Sequence, residues 1–303
     1  MTAPTCTLAL DIGGTKIAFA LIPDAEPTTA LAADRVGTKE GNNPLGQVQL
    51  ALRASIQAAQ QLGLQIARIG IGAPGVILGP TGTIVYNGET LTEWTGSDLR
   101  GLANTELNVP FAAHNDVRVW AYGEHHLGVG KHIVGRALYV SLGTGVGGAI
   151  LDNGVVLDGP TGTAGEFAEI VCADYQGQAT RCEDVASGTG LTAYYNKAAG
   201  TNLTLPQIMQ RFHSNDPLAT EIITGNLLGF GRALGALVTL LDLSAVVVGG
   251  GVASIGAPII DPLTEGIFQR ILPPNNNVNV LTTSLGPDAA VIAAAQYARD
   301  NAY

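Results

Sequence analysis

Apolar residues recur along this chain in two rhythms, and each predicts a kind of element. Short continuous apolar runs read as buried strands: Thr7–Leu10, Ile17–Ile22, Ile66–Gly72, Thr83–Tyr86, a run from Phe111, another from Tyr139, the pair Ala149–Leu151 and Val155–Leu157, and Ala245–Val248. Apolar residues three or four apart read as helices. Val48, Leu50, Leu52, Ile56 and Leu62 mark one over Pro44–Leu62, and others fall at Ser97–Leu107, Val117–Leu127, Leu191–Ala199, Leu205–Phe212 and Leu218–Leu241. A last helix, Ala289–Asn301, follows the start signal Gly286-Pro287-Asp288. The most apolar stretch, Leu227–Ile260, contains Arg232, Asp242 and three consecutive glycines, so it reads as helix, turn and strand rather than a membrane span.

Two strands end in glycine turns, Gly13-Gly14-Thr15-Lys16 and Gly143-Thr144-Gly145 with Gly147-Gly148, and strand composition resumes after each. Gly143, Gly145 and Gly148 satisfy the G-x-G-x-x-G spacing of dinucleotide folds, with Glu166 near the ribose-acid position. That reading fails because the motif requires a helix after the turn. Each turn taken singly is equally a tight hairpin. Glycine also lets backbone N–H groups approach a phosphate, and Thr15 and Thr144 add hydroxyl donors. The strand–hairpin–strand unit at residues 7–22 recurs at 137–157, which points to two similar lobes with a nucleotide clamped in one cleft.

Three further places carry candidate chemistry. Gly72-Ala73-Pro74-Gly75 follows a strand's carboxyl end, where α/β sheets bind ligands, though it is equally a plain turn. Asn115-Asp116 stands between a strand and a helix, where a carboxylate is either a cap or a general base. Gly249-Gly250-Gly251 ends a buried strand and suits either a nucleotide's flat face or close packing of a helix.

Composition narrows the partners. A chain of 303 residues predicts two domains. Net charge is −10 and the lysines number four, Lys16, Lys39, Lys131 and Lys197, so there is no basic face for nucleic acid. Phosphate recognition then falls to backbone N–H groups, a metal ion and Lys16. Three cysteines, Cys6, Cys172 and Cys182, without repeat spacing read as reduced thiols, and the absence of a basic, apolar leader sequence adds to the expectation of a cytoplasmic protein.

Asp11-Ile12-Gly13-Gly14-Thr15-Lys16, Gly72–Gly75, Asn115-Asp116, Gly143–Gly148, Gly165-Glu166 and Gly249–Gly251 occur in the order found in the ROK family of bacterial sugar kinases and repressors, and the resemblance spans almost the whole chain. It implies the hexokinase–actin–Hsp70 fold, an α/β architecture of two ribonuclease-H-like lobes around a central cleft. The implied lobes are residues 1–116 with 288–303 and residues 117–287. The first glycine turn begins within a dozen residues of Met1, which leaves no helix-turn-helix of the kind the repressors carry before it, so the resemblance favours a kinase. The expected reaction passes the ATP γ-phosphoryl group to the 6-hydroxyl of a hexose. Glucose is the first expected substrate, with N-acetylmannosamine or another amino sugar as the alternative, and a sugar sensor without turnover as a further one.

The resemblance implies a role for each matching position. Asp116 is the catalytic base and Asn115 holds a neighbouring hydroxyl. Asp11 holds Mg²⁺ through water. Gly13, Gly14, Thr15 and Lys16, together with Gly143, Thr144 and Gly145, cradle the phosphates, and Gly249, Gly250 and Gly251 line the adenosine pocket. Glu166 and Glu183 bind the sugar, with Gly75, Asn87 and Glu169 in the same pocket. A homodimer is also implied.

The family pattern breaks in one region. Its Glu-x-Gly-His and cysteine-rich zinc loop are replaced by Glu166-Phe167-Ala168-Glu169 and Asp174–Glu183, which put Asp174, Gln176 and Arg181 at the zinc cysteines and Glu169 at the histidine. Cys172 and Cys182 are too few for a structural zinc, so none is expected. Glu166, Glu169 and Glu183 would repel if gathered, unless one is protonated or a cation such as Arg181 pairs with one of them; alternatively Glu169 turns outward to pair with Arg181 in place of the metal. His125, His126 and His132 are read as a solvated surface, because adjacent helical side chains point apart.

Overall fold

The computed structural model describes residues 3–78, 81–88 and 91–303. The chain divides into two compact units, residues 1–131 with 158–163 and 284–303, and residues 132–157 with 164–283.

The first unit starts with β1 (Thr5–Ile12), β2 (Lys16–Pro23) and β3 (Leu31–Gly37), followed by α1 (Pro44–Leu62). β4 (Gln65–Ala73), the short hairpin β5 (Val76–Leu78) and β6 (Thr83–Tyr86), α2 (Leu99–Glu106), β7 (Phe111–Asn115) and α3 (Asp116–His126) complete its first part. The sheet runs β3-β2-β1-β4-β7, with β1–β3 antiparallel and β1, β4 and β7 parallel. α1 begins where sequence chemistry asks. Asn43 Oδ1 accepts from Gly46 N at 2.9 Å, Pro44 takes the first helical position, and Gly63 closes the helix in the left-handed region at φ +66.

The second unit contains β8 (Arg136–Leu142), β9 (Val146–Asp152), β10 (Val155–Val156), the hairpin β11 (Val171–Ala173) and β12 (Ala179–Arg181), α4 (Cys182–Ala186), α5 (Gly188–Ala199), α6 (Leu205–His213), α7 (Pro217–Leu241), β13 (Ala245–Gly249), α8 (Ala257–Phe268) and β14 (Asn279–Thr282). Its sheet, β10-β9-β8-β13-β14, has the same antiparallel-then-parallel pattern. The expected ribonuclease-H-like fold is thus present twice. α7 is long and apolar enough to cross a membrane, yet Ile222, Ile223, Leu227, Phe230, Leu234 and Val238 are buried in this unit's own core.

α9 (Ala289–Asn301) belongs to the first unit. It covers the sheet face opposite α1, and both faces are lined by buried apolar residues. Leu8, Leu10, Ile69 and Ile71 pack with α1 residues Val48 and Leu52, while Ala9 and Ala20 pack with Val119 and Val291–Ala295. Each fully buried Leu, Ile or Val contributes about 1.5–3 kcal/mol. α9 lies directly on backbone: a Cβ built on Gly70 of β4 would fall 2.1 Å from the Ala294 carbonyl oxygen.

All seven helices expected from periodicity are present, α1 and α9 with the same ends. The sequence reading missed α4, α8, β3, β5, β14 and the β11–β12 hairpin. β3 is an edge strand with four exposed residues in succession, so it lacks the apolar rhythm that marks a buried strand.

Candidate functional site

In the first unit the predicted residues gather at the carboxyl ends of the parallel strands. β1 delivers Asp11, which is paired in register with Gly72 of β4, and Ala73 of β4 pairs with Asn115 of β7. Burial, and after it the charge of Asp116, push the Asp11 carboxyl up to about 7, with Lys16 partly offsetting them. The β1–β2 turn closes with Gly13 N donating to Lys16 O at 2.9 Å. Thr38, a buried residue just past the unforeseen β3, donates its hydroxyl to Gly13 O at 2.7 Å and its N–H to Thr15 O at 3.0 Å. The phosphate-loop candidates are therefore braced on their carbonyl side, and Thr15 and Lys16 are exposed.

Asn115 and Asp116 form the corner from β7 into α3. Asn115 caps the helix, its Oδ1 accepting from Val117 N at 3.1 Å and Arg118 N at 3.2 Å, and its Nδ2 donates to Gly75 O at 3.1 Å. Asp116 Oδ1 accepts from Val117 N at 3.0 Å. Gly75 has φ +101, and a Cβ there would fall 2.3 Å from Tyr86 O and 3.2 Å from the Asn87 Cα, so a side chain is excluded twice. Asn87 is buried. Its Nδ2 donates to Leu91 O at 2.7 Å, but its Oδ1 has no partner among the described residues. A buried amide oxygen left this way costs about 1–3 kcal/mol, which a donor hydroxyl from a ligand would recover. Trp94, which the sequence reading did not single out, locks the same turn by donating Nε1–H to Pro74 O at 3.1 Å.

In the second unit the other predicted turns lie at equivalent strand ends. Gly143 N donates to Gly145 O at 3.0 Å, while Gly143 O and Thr144 O accept from Gly188 N and Thr189 N at the start of α5. Gly250, at φ +94, packs so closely that a Cβ would meet Leu142 O at 2.4 Å, and Val252 N donates to that oxygen at 2.8 Å. Gly249–Gly251 thus leans on the strand that leads into Gly143.

Glu183 Oε2 accepts from Val146 N at 3.0 Å, fixing the far side of the Gly143–Gly145 turn. Glu166 is exposed. Glu169 is exposed too, and Arg181 ties it to Asp184, with 2.8 Å to Glu169 Oε1 and 3.0 Å to each Asp184 oxygen. Arg181 accordingly draws Glu169 away to a partner other than that of Glu183. Asp174, another zinc-ligand position, organises the β11–β12 turn, accepting from Gln176 N, Gln178 N and the Tyr194 hydroxyl. Among the described residues no group of three or more His, Cys, Asp and Glu side chains is placed to hold a metal ion. A cavity of about 920 Å³ within this unit is lined by Thr144, Gly145 and Glu183 together with Asp174, Tyr194 and Lys197.

One expectation is corrected. His125 is buried and His126 half-buried, because α3 packs against α9, β4 and β7 instead of lying on a surface. Tyr122 and His126 are ring to ring at 4.1 Å, and the Tyr122 hydroxyl donates to Asp300 of α9 at 2.8 Å. Burial first, and His126 second, hold the His125 imidazole below its ordinary range. Only His132 of the three is exposed.

Known proteins resemble this chain over nearly its full length. A glucokinase from Streptomyces coelicolor is 27% identical over 320 residues, covering 97% of this chain and 98% of that one. An N-acetylmannosamine kinase from Escherichia coli O1:K1 / APEC is 29% identical over 307 residues, covering 97% and 98%. Among solved structures, the ROK family glucokinase from Streptomyces griseus in complex with glucose and AMPPNP superimposes with a TM-score of 0.78 at 26% identity, covering 97% of this chain and 99% of that one. The family profile itself matches residues 7–301, both glycine turns and both sheets included, and the chain belongs to the ROK family.

Proposed function

We propose that the protein is an ATP-dependent sugar kinase that transfers the γ-phosphoryl group to the 6-hydroxyl of a hexose, glucose before others. The observation that carries this reading is the corner where Asp116, Asn115 and Gly75 meet the orphaned Asn87 oxygen. It offers a carboxylate beside buried amide groups, as a polyhydroxylated acceptor requires. The kinship with glucokinases supports glucose.

In this reading Asp116 takes the proton from the attacking hydroxyl. The new bond forms between that oxygen and the γ-phosphorus, and the bond to the β,γ-bridging oxygen breaks, its electron pair leaving with ADP. Val117 N–H holds one carboxylate oxygen and so sets the base's orientation. Asn115 has one Nδ2 hydrogen committed to Gly75, and the second is assigned to a sugar hydroxyl. In the second unit Gly143–Gly145 serves the phosphates, Gly249–Gly251 the adenosine, and Glu183 the sugar. Asp11 fits a Mg²⁺ ion. A partly exposed carboxyl raised by desolvation and, after it, by a neighbouring carboxylate gains from a cation, and Mg²⁺ favours one or two carboxylates plus waters and phosphates over a protein cage. Bound there, Mg²⁺ supplies charge neutralisation at the transferring phosphoryl group.

An amino sugar is the second reading, supported by the N-acetylmannosamine kinase likeness. A coupled ADP-release assay with Mg-ATP against glucose, mannose, allose, fructose, N-acetylglucosamine and N-acetylmannosamine decides. The expected result is sugar-dependent turnover led by glucose. Preference for an N-acetylated sugar replaces glucose, and sugar binding without any turnover replaces the kinase with a sensor.

A further inference from the structure

A hydrogen-bonded cluster behind the Asn115–Asp116 corner is not used by the reaction above. His114, the residue before the corner, is buried in β7 at 3% exposure. Its Nδ1 accepts from Asn115 N at 2.7 Å, so the ring proton sits on Nε2, which donates to Asp158 Oδ1 at 2.8 Å. One imidazole therefore joins the peptide entering the corner to the head of the 158–163 segment.

A second clamp holds that segment's other end. Arg118, in the first turn of α3 and fully buried, donates Nη1–H to Gly162 O at 2.5 Å and lies 3.7 Å from Asp158 Oδ1. Burial pushes the Asp158 carboxyl up, but the hydrogen bond from His114 and, after it, the positive charge of Arg118 hold it below the usual carboxylate range. A Cβ on Gly162 would fall 2.9 Å from Val76 Cγ1, so the segment lies against the residue after Gly75. Tyr297 of α9 closes the remaining side of His114, ring edge to ring face at 5.6 Å.

Burying a whole guanidinium and an imidazole costs free energy that apolar packing would not, and the pair fixes a geometry that apolar packing cannot. What it fixes is the direction of the Asn115 peptide and the place of the segment beside Gly75 and Val76. We propose that His114, acting through Asp158, is a positioning residue for Asp116: it sets the angle at which α3 leaves β7 and thereby the aim of the base. This inference rests on the sugar-kinase reading.

The test compares wild type with Asp158→Ala, Asp158→Asn, His114→Ala and the double Asp158→Ala/His114→Ala variant, recording kcat, sugar KM and thermal midpoint. Asp158 is half-exposed, so its variants report even if His114→Ala fails to fold. Expected are a tenfold or greater loss of kcat for His114→Ala and a three- to tenfold loss for Asp158→Ala, with sugar KM changed less than threefold. Asp158→Asn, whose carbonyl still accepts the Nε2–H, should recover most of the rate. The double variant should be no worse than His114→Ala, since both remove one link. Lowered thermal midpoints with kcat within twofold of wild type overturn the positioning role and leave a structural one, with the sugar-kinase reading intact. A wild type inactive on every sugar overturns that reading and this role with it.

Discussion

The two sheets share one strand order and one sequence of directions, yet their turns are armed differently. Two residues before its first glycine, the β1 turn carries Asp11, and the β8 turn carries Ser141 at the same place. The middle parallel strand of the first unit ends in Gly75 beside an orphaned amide, while that of the second ends in Gly249–Gly251 against a backbone oxygen. The next strand of the first unit, β7, leads directly into Asp116 at the start of α3. The two units thus share their hairpins and differ at the strand ends: the first carries Asp11 and Asp116 there beside its own glycine turn, and the second carries glycine turns with no carboxylate at the corresponding places. Chemistry requires a few titratable groups whose environments shift them, whereas holding a polyanion requires chiefly N–H groups and close approach.

The sharpest way to break this contrast is Asp116→Asn. It should lower kcat by about 10²–10⁴-fold while leaving sugar KM within a few-fold, as read by ADP release. Substantial residual turnover would remove the base from the first unit. Gly145→Ala probes the second. A Cβ there would fall 2.5 Å from Glu183 Oε2, so the carboxylate must give way and release Val146 N–H, and ATP KM and sugar KM should both rise about tenfold, each on the scale of one charged hydrogen bond. An unchanged sugar KM would remove Glu183 from the sugar site, and an unchanged ATP KM would remove the turn from the phosphates.

Asp11→Asn gives the subtlest effect, in stability. The folded carboxyl titrates near 7 and the unfolded one near 3.8, so the folded state binds the extra proton between those values. Stability is accordingly lost as pH rises through that window, and the loss is complete above 7. The Asn variant should therefore gain about 1–3 kcal/mol at pH 8, less at pH 5 and nothing at pH 3, the full shift being discounted for the residue's partial exposure. Urea unfolding at the three pH values measures it, and a gain independent of pH would show that Asp116 and burial do not strain Asp11.

Much of this was legible beforehand for a physical reason. Helix α1 announces itself through Asn43-Pro44 and Gly63, and α9 through Gly286-Pro287-Asp288, because caps are local chemistry. The same holds for Gly75, whose φ only glycine takes easily. Thr38, Trp94, His114 and Asp158 were not legible. Each acts on a residue brought near by the sheet, such as Gly13 for Thr38 and Pro74 for Trp94, and no periodicity encodes such a meeting. His125 misled because an α3 read in isolation shows one apolar stripe, and the helix that covers more of it lies some 165 residues on.

The seat of α9 on Gly70 has a consequence for how the protein is made. The first unit is begun first by the ribosome and finished last, since residues 289–301 emerge only after the whole second unit has been translated. At roughly 5–20 residues per second, the sheet face holding Ala9, Ala20 and the bare Gly70 backbone waits on the order of 10–45 seconds for its cover. Until then that face is open to chaperones and to wrong partners, and a premature stop anywhere in the second unit leaves it open for good.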